Sequence, residues 1–256
     1  MRLGFAILAT LLAPLVACAP RIEPMRPVVA PPAAAAPSFQ DHLDASGVPL
    51  DLPDGKAIVV NVPAFELIAF EDALPILRSR VIVGAEATPT PLIETATSVV
   101  RFRPSWRPTP TMIATGAYED RRWPPGRNNP LGLAAIRLEP GLLVYLHDTN
   151  RRDLFAREDR AMSFGCVRVE RWDELIAWLL DWDLADVHRL AEGSRTVDVA
   201  TEGIPVIFGY FLTFPADDGT AQRFADVYNR GPDVRPTDRT TLPTTGPACG
   251  GALAGN

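Results

Sequence analysis

Cys166 and His147 are the residues whose types and settings best suit a nucleophile and its base. Cys166 closes the turn Ser163-Phe164-Gly165-Cys166, and His147 directly follows the apolar run Leu142–Leu146. A thiol attacks an acyl carbon as its thiolate, so it needs a base that takes its proton and later delivers one to the leaving amine. His147 is the best placed of three histidines. His42 borders a Pro/Ala-rich stretch, and His188 follows a helical pattern, where a solvated position is the default. Alone, a Cys/His pair nineteen residues apart is a weak signal. The sequence carries no Cys-x-x-Cys, no His-Glu-x-x-His and no phosphate-binding glycine loop, so neither metal nor cofactor is expected.

These residues need a frame, and the pattern between about 48 and 230 reads mostly as strands. Ala57–Val62 is a β-branched run, and Phe65–Phe70 alternates before an acidic turn. Ile76–Val83 and Ser98–Arg103 continue in the same style. Ala134–Leu138 and Leu142–Leu146 flank Glu139-Pro140-Gly141, where proline presets a turn and glycine accepts positive φ. A second hairpin is expected around Asp217-Asp218-Gly219. Leu175, Trp178, Leu179 and Trp182 recur at helical spacing, with Glu170, Asp173 and Glu174 near the start to suit the dipole. The expected fold is mainly β (a β-rich α+β domain) with one amphipathic helix packed on it.

Both ends read differently. Arg2 precedes the uncharged run Leu3–Val16, which closes on Leu15-Val16-Ala17-Cys18, too short to span a bilayer and shaped like a secretory signal over residues 1–18. Leu-Val-Ala-Cys resembles the lipobox of bacterial lipoproteins. That implies an acylated Cys18 holding the chain on a lipid bilayer, with the body in the periplasm and the outer membrane favoured as the anchor site. Residues 19–47 are assigned to a Pro/Ala-rich linker that acts as a spacer, and residues 231–256 to a disordered tail. Export to an oxidising compartment makes the cysteine count informative. With Cys18 used by the lipid and Cys249 in a Gly/Ala/Pro/Thr tail, Cys166 reads as an unpaired thiol with a chemical task. A net charge of −6 argues against nucleic acid as a partner.

The letters around the pair raise the signal. Val144-Tyr145-Leu146-His147-Asp148-Thr149, followed by Ser163-x-Gly165-Cys166-Val167-Arg168-Val169-Glu170, resembles the catalytic motif of YkuD-type L,D-transpeptidases, especially the YcbB-like branch. Ile58–Phe65, Trp106, Pro124-Pro125-Gly126, Asn129-Pro130-Leu131-Gly132 and the hairpin at Asp218-Gly219 also match, over most of residues 55–230. The resemblance implies a YkuD-like β-sandwich or barrel acting on peptidoglycan stem peptides. Cys166 would attack the carbonyl of the third stem residue and expel D-alanine, with His147 as base. The other ring nitrogen of His147 would be held by the backbone carbonyl of Asp148, or alternatively by its carboxylate. Backbone N–H groups around Gly165 and Cys166 would form an oxyanion hole. Arg168 would bind substrate carboxylates or else form an ion pair with Asp148 or Glu170. Ser163 and Tyr145 are expected to line the cleft.

The chain departs from the family in two places. Many relatives carry histidine where Phe164 stands, so the cleft loses a polar group. Only about fifteen residues separate Trp106 from Arg122, too few for a sizeable lid, so an open cleft is expected. An acyl-enzyme resolved by an amine would give a 3→3 cross-link or attach a protein to the wall. One resolved by water would make a carboxypeptidase or endopeptidase. A non-catalytic lipoprotein that tethers peptidoglycan is the alternative from a different class.

Overall fold

The computed structural model describes residues 37–232. Its strands are β1 (Lys56–Asn61), β2 (Glu66–Glu71), β3 (Leu74–Gly84), β4 (Glu94–Phe102), β5 (Ala134–Leu138), β6 (Tyr145–His147), β7 (Ala161–Ser163), β8 (Val167–Val169), β9 (Val197–Ala200), β10 (Pro205–Gly209), β11 (Thr213–Pro215) and β12 (Ala221–Arg223). The helices are α1 (Phe39–Ala45), α2 (Pro110–Ala114), α3 (Trp172–Leu180) and α4 (Leu184–Ala191), with a 3-10 turn at Arg152–Ala156. The strands run β10-β1-β2-β3-β8-β6-β5-β4, and β4 pairs back to β10, which closes the sheet into a barrel. β7 and β9 are additions along β3 and β4, and β11–β12 form a separate ribbon. The mainly β expectation is borne out.

Alternation along the strands sorts side chains into an inside and two outer patches. Ile58, Val60, Leu67, Ala69, Val81, Ile136, Leu146, Val167 and Phe208 fill the interior, joined by Trp172, Leu175, Ile176 and Leu179 of α3. On one outer arc, Val59, Ile68, Phe70 and Ile207 pack against Phe39 and Leu43 of α1. On another, Ala135, Tyr145 and Cys166 pack beneath Trp106, Met112 and Leu131.

Three boundaries shift. The sequence reading ends the linker at residue 47, but α1 already belongs to the folded body. Ser38 and Asp41 form a capping box, and Phe39 and Leu43 are buried. A seven-residue helix is marginal alone; those two burials stabilise it by about 1.5–3 kcal/mol each. It is too short to show a helical period. The hairpin expected around Asp217-Asp218-Gly219 is short: Thr213 begins its first strand, while the apolar stretch just before it forms β10, which pairs in parallel with β1. The hairpin after β5 forms, but its second strand starts only at Tyr145. On α3 the buried stripe is Trp172, Leu175, Ile176 and Leu179, whereas Trp178 turns outward and its indole N–H donates to Glu71. The signal, most of the linker and nearly all of the C-terminal tail lie outside the described residues.

Candidate active site

Two three-residue strands bring the pair together. β6 and β8 run parallel, with Leu146 opposite Val167 and His147 opposite Arg168. Leu146 and Val167 point inward and are fully buried, so Tyr145, His147, Cys166 and Arg168 share the outer face. Cys166 stands one rung before Val167, which makes it the diagonal neighbour of His147. Strand spacing and rise put roughly 8 Å between their Cα atoms, a span that the two side chains can cover. The N–H of Tyr145 donates to the Cys166 sulfur at 3.1 Å.

The imidazole is fixed from behind. Its Nδ1 meets the backbone carbonyl of Asp148. A carbonyl only accepts, so Nδ1 carries the proton and Nε2 is left as the basic nitrogen. The Asp148 carboxylate turns away: it accepts from the Leu133 N–H at 2.9 Å and from Arg152 at 3.1 Å. Of the two supports considered for His147, the carbonyl is the one in place. Burial, with Arg168 adding to it, drives the His147 pKa down to about 3, against contacts from the backbone of Asp148 and Leu131. The ring is therefore neutral at physiological pH, as a general base must be. Burial also pushes the Asp148 carboxyl up.

The Asn129-Pro130-Leu131-Gly132 stretch now acquires a reason. Gly132 sits at φ +65°, and a Cβ there would come within 2.3–2.5 Å of the Asp148 carboxyl group. Glycine lets Asp148 lie flat against the loop and present its carbonyl to His147. Asn129 uses all its capacity: its amide N–H group donates to the carbonyls of Pro104 and Pro124, both at 2.9 Å, and its oxygen accepts from Leu131 at 2.9 Å.

The remaining expected residues fall out unevenly. Gly165 adopts φ +106°, which favours glycine, but its N–H donates to the Ser163 hydroxyl at 3.1 Å. That amide is spent inside the turn, and Gly165 contributes conformation rather than a donor for an oxyanion. Ser163 is buried and also donates to the Cys166 carbonyl at 2.6 Å. Its hydroxyl staples the turn and does not line a cleft. Tyr145 is buried beside Cys166, and burial raises its pKa. Arg168 forms no ion pair among the described residues. Asp148 pairs with Arg152, and Glu170 with Arg80 at 2.6 Å. Burial lowers the Arg168 pKa, with Tyr118 nearby opposing it.

The expected open cleft is modified. Residues 106–123 form a small excursion closed at its base by paired backbone bonds between Trp106 and Trp123, at 3.0 and 2.7 Å. Tyr118 packs edge-on to Trp106 with ring centroids 4.7 Å apart, and reaches Phe164 at 6.3 Å. Phe164, the residue that departs from the family pattern, anchors this excursion over the nucleophile turn. Cys166 is 3% exposed and His147 5%.

One expectation is corrected. The sequence reading treats Cys166 as an unpaired thiol, but its sulfur is disulfide-bonded. The other two cysteines, Cys18 and Cys249, lie outside the described residues. Exchange with a reducing thiol must therefore precede any attack by Cys166. His147 meets the carbonyl of Asp148, one of the two supports the sequence offers, and Cys166 stands diagonal to His147 across the β6–β8 pair. Gly132, Asn129 and Tyr118 were missed as contributors. The first two carried a signal in their motif, and Tyr118 carried none.

The model of the YkuD family, described as the L,D-transpeptidase catalytic domain, matches residues 55–206. A Haemophilus influenzae protein named as a candidate L,D-transpeptidase is 27% identical over 220 residues, which is 69% of this chain and 45% of that protein. The chain thus spans about half the length of the curated relative it matches. Among solved structures, an L,D-transpeptidase from Mycobacterium smegmatis is 16% identical, covering 60% of this chain and 58% of its own, with a TM-score of 0.39. The catalytic domain of the E. faecium L,D-transpeptidase is 13% identical, covering 62% of this chain and 100% of its own, with a TM-score of 0.38.

Proposed function

The chain belongs to the YkuD family of L,D-transpeptidase catalytic domains, and from that premise we propose that it is a cysteine transpeptidase of peptidoglycan with Cys166 as nucleophile. The supporting observation is the diagonal placement of Cys166 and His147 on the parallel β6–β8 pair, with Nδ1 held on the Asp148 carbonyl. Once reduced, the thiol gives its proton to Nε2 of His147 as sulfur attacks the carbonyl carbon of the third stem residue. The tetrahedral adduct collapses by breaking the C–N bond, and His147 returns the proton to the departing D-alanine amine. The resulting thioester is attacked by an amine of a second stem, whose proton passes to His147 as the Cys166 thiolate leaves. That transfer yields a 3→3 cross-link.

Charge stabilisation at the carbonyl oxygen falls to backbone N–H groups at the head of β8, Cys166 included, because the Gly165 amide is committed to Ser163. Arg168, on the outer face with Cys166, receives the carboxylate of the donor stem. The N-terminal segment supplies the location in this reading: Cys18 is acylated and tethers the domain to the outer membrane, facing the periplasm.

Incubating the reduced full chain with tetrapeptide muropeptides tests the reading. Mass spectrometry should show 3→3 dimers and free D-alanine, and neither should appear with Cys166→Ala. Shortened monomers without dimers would replace the amine acceptor by water. No product from reduced, folded protein would remove the enzymatic reading and leave the tethering one. Anchoring is checked by detergent partitioning, where Cys18→Ser should move the protein to the aqueous phase; unchanged partitioning would refute acylation.

A further inference from the structure

The nucleophile turn is held on its buried side by a second segment, residues 84–90, which the family motif does not mention. The Ser163 carbonyl accepts from the N–H of Ala85 and from the hydroxyl of Thr88, both at 2.9 Å. The Gly165 carbonyl accepts from the hydroxyl of Thr90 at 2.9 Å. The same hydroxyl oxygen accepts from the Gly84 N–H at 2.9 Å, so Thr90 bridges the end of β3 to the residue before Cys166. Thr90 is fully buried. Gly84 allows this fold-back, since a Cβ there would meet the Thr88 carbonyl oxygen at 2.2 Å and the Thr90 nitrogen at 2.5 Å.

A residue from the far end of the domain locks the segment. The hydroxyl of Tyr228 donates to the Gly84 carbonyl at 2.6 Å and accepts from the Thr90 N–H at 3.2 Å. The backbone N–H of Tyr228 donates to the hydroxyl of Tyr210 at 2.7 Å, and Tyr210 donates in turn to Asp226 at 2.5 Å. Tyr210, Asp226 and Tyr228 all lie beyond residue 206, where the family match ends. Apart from the Tyr210–Asp226 bond, each of these is made to or from a main-chain group of a buried residue, so losing one leaves a buried partner unsatisfied.

We propose that Thr90 and Tyr228 are positioning residues that set the Gly165–Cys166 backbone where acylation requires it. The proposal rests on the reading of Cys166 as the nucleophile. Neither side chain touches substrate; both act through the turn. A misplacement of about 1 Å at a reacting centre can cost on the order of a hundredfold in rate, so loosening one support should cost about tenfold.

The test compares Thr90→Val, Thr90→Ser and Tyr228→Phe with wild type, each as the reduced full chain. Three readouts are taken: the rate of Cys166 acylation by a carbapenem, the rate of Cys166 alkylation by iodoacetamide, and hydrogen exchange in peptides covering residues 161–169. Thr90→Val and Tyr228→Phe should acylate about tenfold more slowly and exchange faster across the turn. Alkylation needs no oxyanion and should change less than twofold, while Thr90→Ser should recover most of the acylation rate. A merely structural loss would lower acylation in proportion to unfolded protein while exposing the buried Cys166 to faster alkylation, and would overturn the proposal. So would wild-type acylation rates in both variants. If wild type itself is not acylated, the proposed function falls, and exchange across the turn still decides the brace: unchanged protection in Thr90→Val refutes it.

Discussion

The two sides of Cys166 are built from different materials. On the inner side, residues 84–90 and the strands β6 and β8 hold the turn through short neutral hydrogen bonds aimed at the backbone carbonyls of the buried residues Ser163, Gly165 and Cys166. On the outer side, the excursion 106–123 rests on ring contacts and surface charge pairs. Arg107 meets Asp120 at 2.7 Å with both side chains more than half exposed, and the Arg121 guanidinium lies 3.9 Å from the Trp123 ring centre. Buried hydrogen bonds allow one geometry, because each broken one strands a partner. Aromatic faces and exposed ion pairs tolerate sliding and contribute little individually. The protein thus fixes the Cys166 turn rigidly from below and covers it with a segment whose contacts tolerate sliding.

That contrast can be broken at several points. The largest effect is expected on the inner side, where His147→Gln should lower the carbapenem acylation rate at least about a hundredfold, the low end for removing a general base. A smaller loss in stopped-flow measurements would move the base elsewhere. Asn129→Ala removes bonds that root the outer excursion at its base, beside the Trp106–Trp123 pair. Stranding the carbonyls of Pro104 and Pro124 should destabilise the protein by about 2–4 kcal/mol, read from urea denaturation; a change under about 1 kcal/mol would show that the root is not there.

Acid probes the inner side again. His147 binds its proton far less readily when folded, at about 3 against an ordinary 6.5, so the unfolded chain takes up more protons between those values. The contribution of the neutral ring is present above pH 6.5 and is lost as pH falls toward 3. Wild type should lose more stability across that window than His147→Gln; parallel curves would mean the ring is not buried neutral. The smallest effect belongs to the outer surface, where Asp120→Asn should change stability by no more than about 0.5 kcal/mol. A larger shift would make the excursion as rigid as the floor beneath it.

The strands that shape the barrel were legible because β-branched runs such as Ala57–Val62 announce themselves over six residues. β6, β7 and β8 are three residues each, and a pattern with period two cannot be recognised in so few positions. Yet those strands carry His147 and flank the turn that holds Cys166, so the motif was legible and the elements under it were not. Phe164 could be read only as a missing polar group, since its partner Tyr118 stands 46 positions away (164 minus 118) on a segment with no periodicity. Thr90 and Tyr228 were invisible for the same reason. Their bonds run to backbone groups 75 and 144 residues distant, and no local composition marks a donor that reaches so far. The state of the Cys166 sulfur was misread because composition and spacing do not determine which cysteines pair.

The closure of the barrel has a consequence for how the chain assembles. β10 fills the gap between β1, its parallel neighbour, and β4, so Ile58 finds its partner Val206 only 148 positions later in the chain (206 minus 58). Pairings of such long range delay folding. Until residue 209 is available, β1 and β4 both present unsatisfied edges, the surfaces on which strands of different molecules add to one another. A nascent or truncated chain ending before β10 would hold every residue of the catalytic pair and still be prone to aggregate. Holding the chain unfolded until β10 has been made would keep those edges from pairing between molecules.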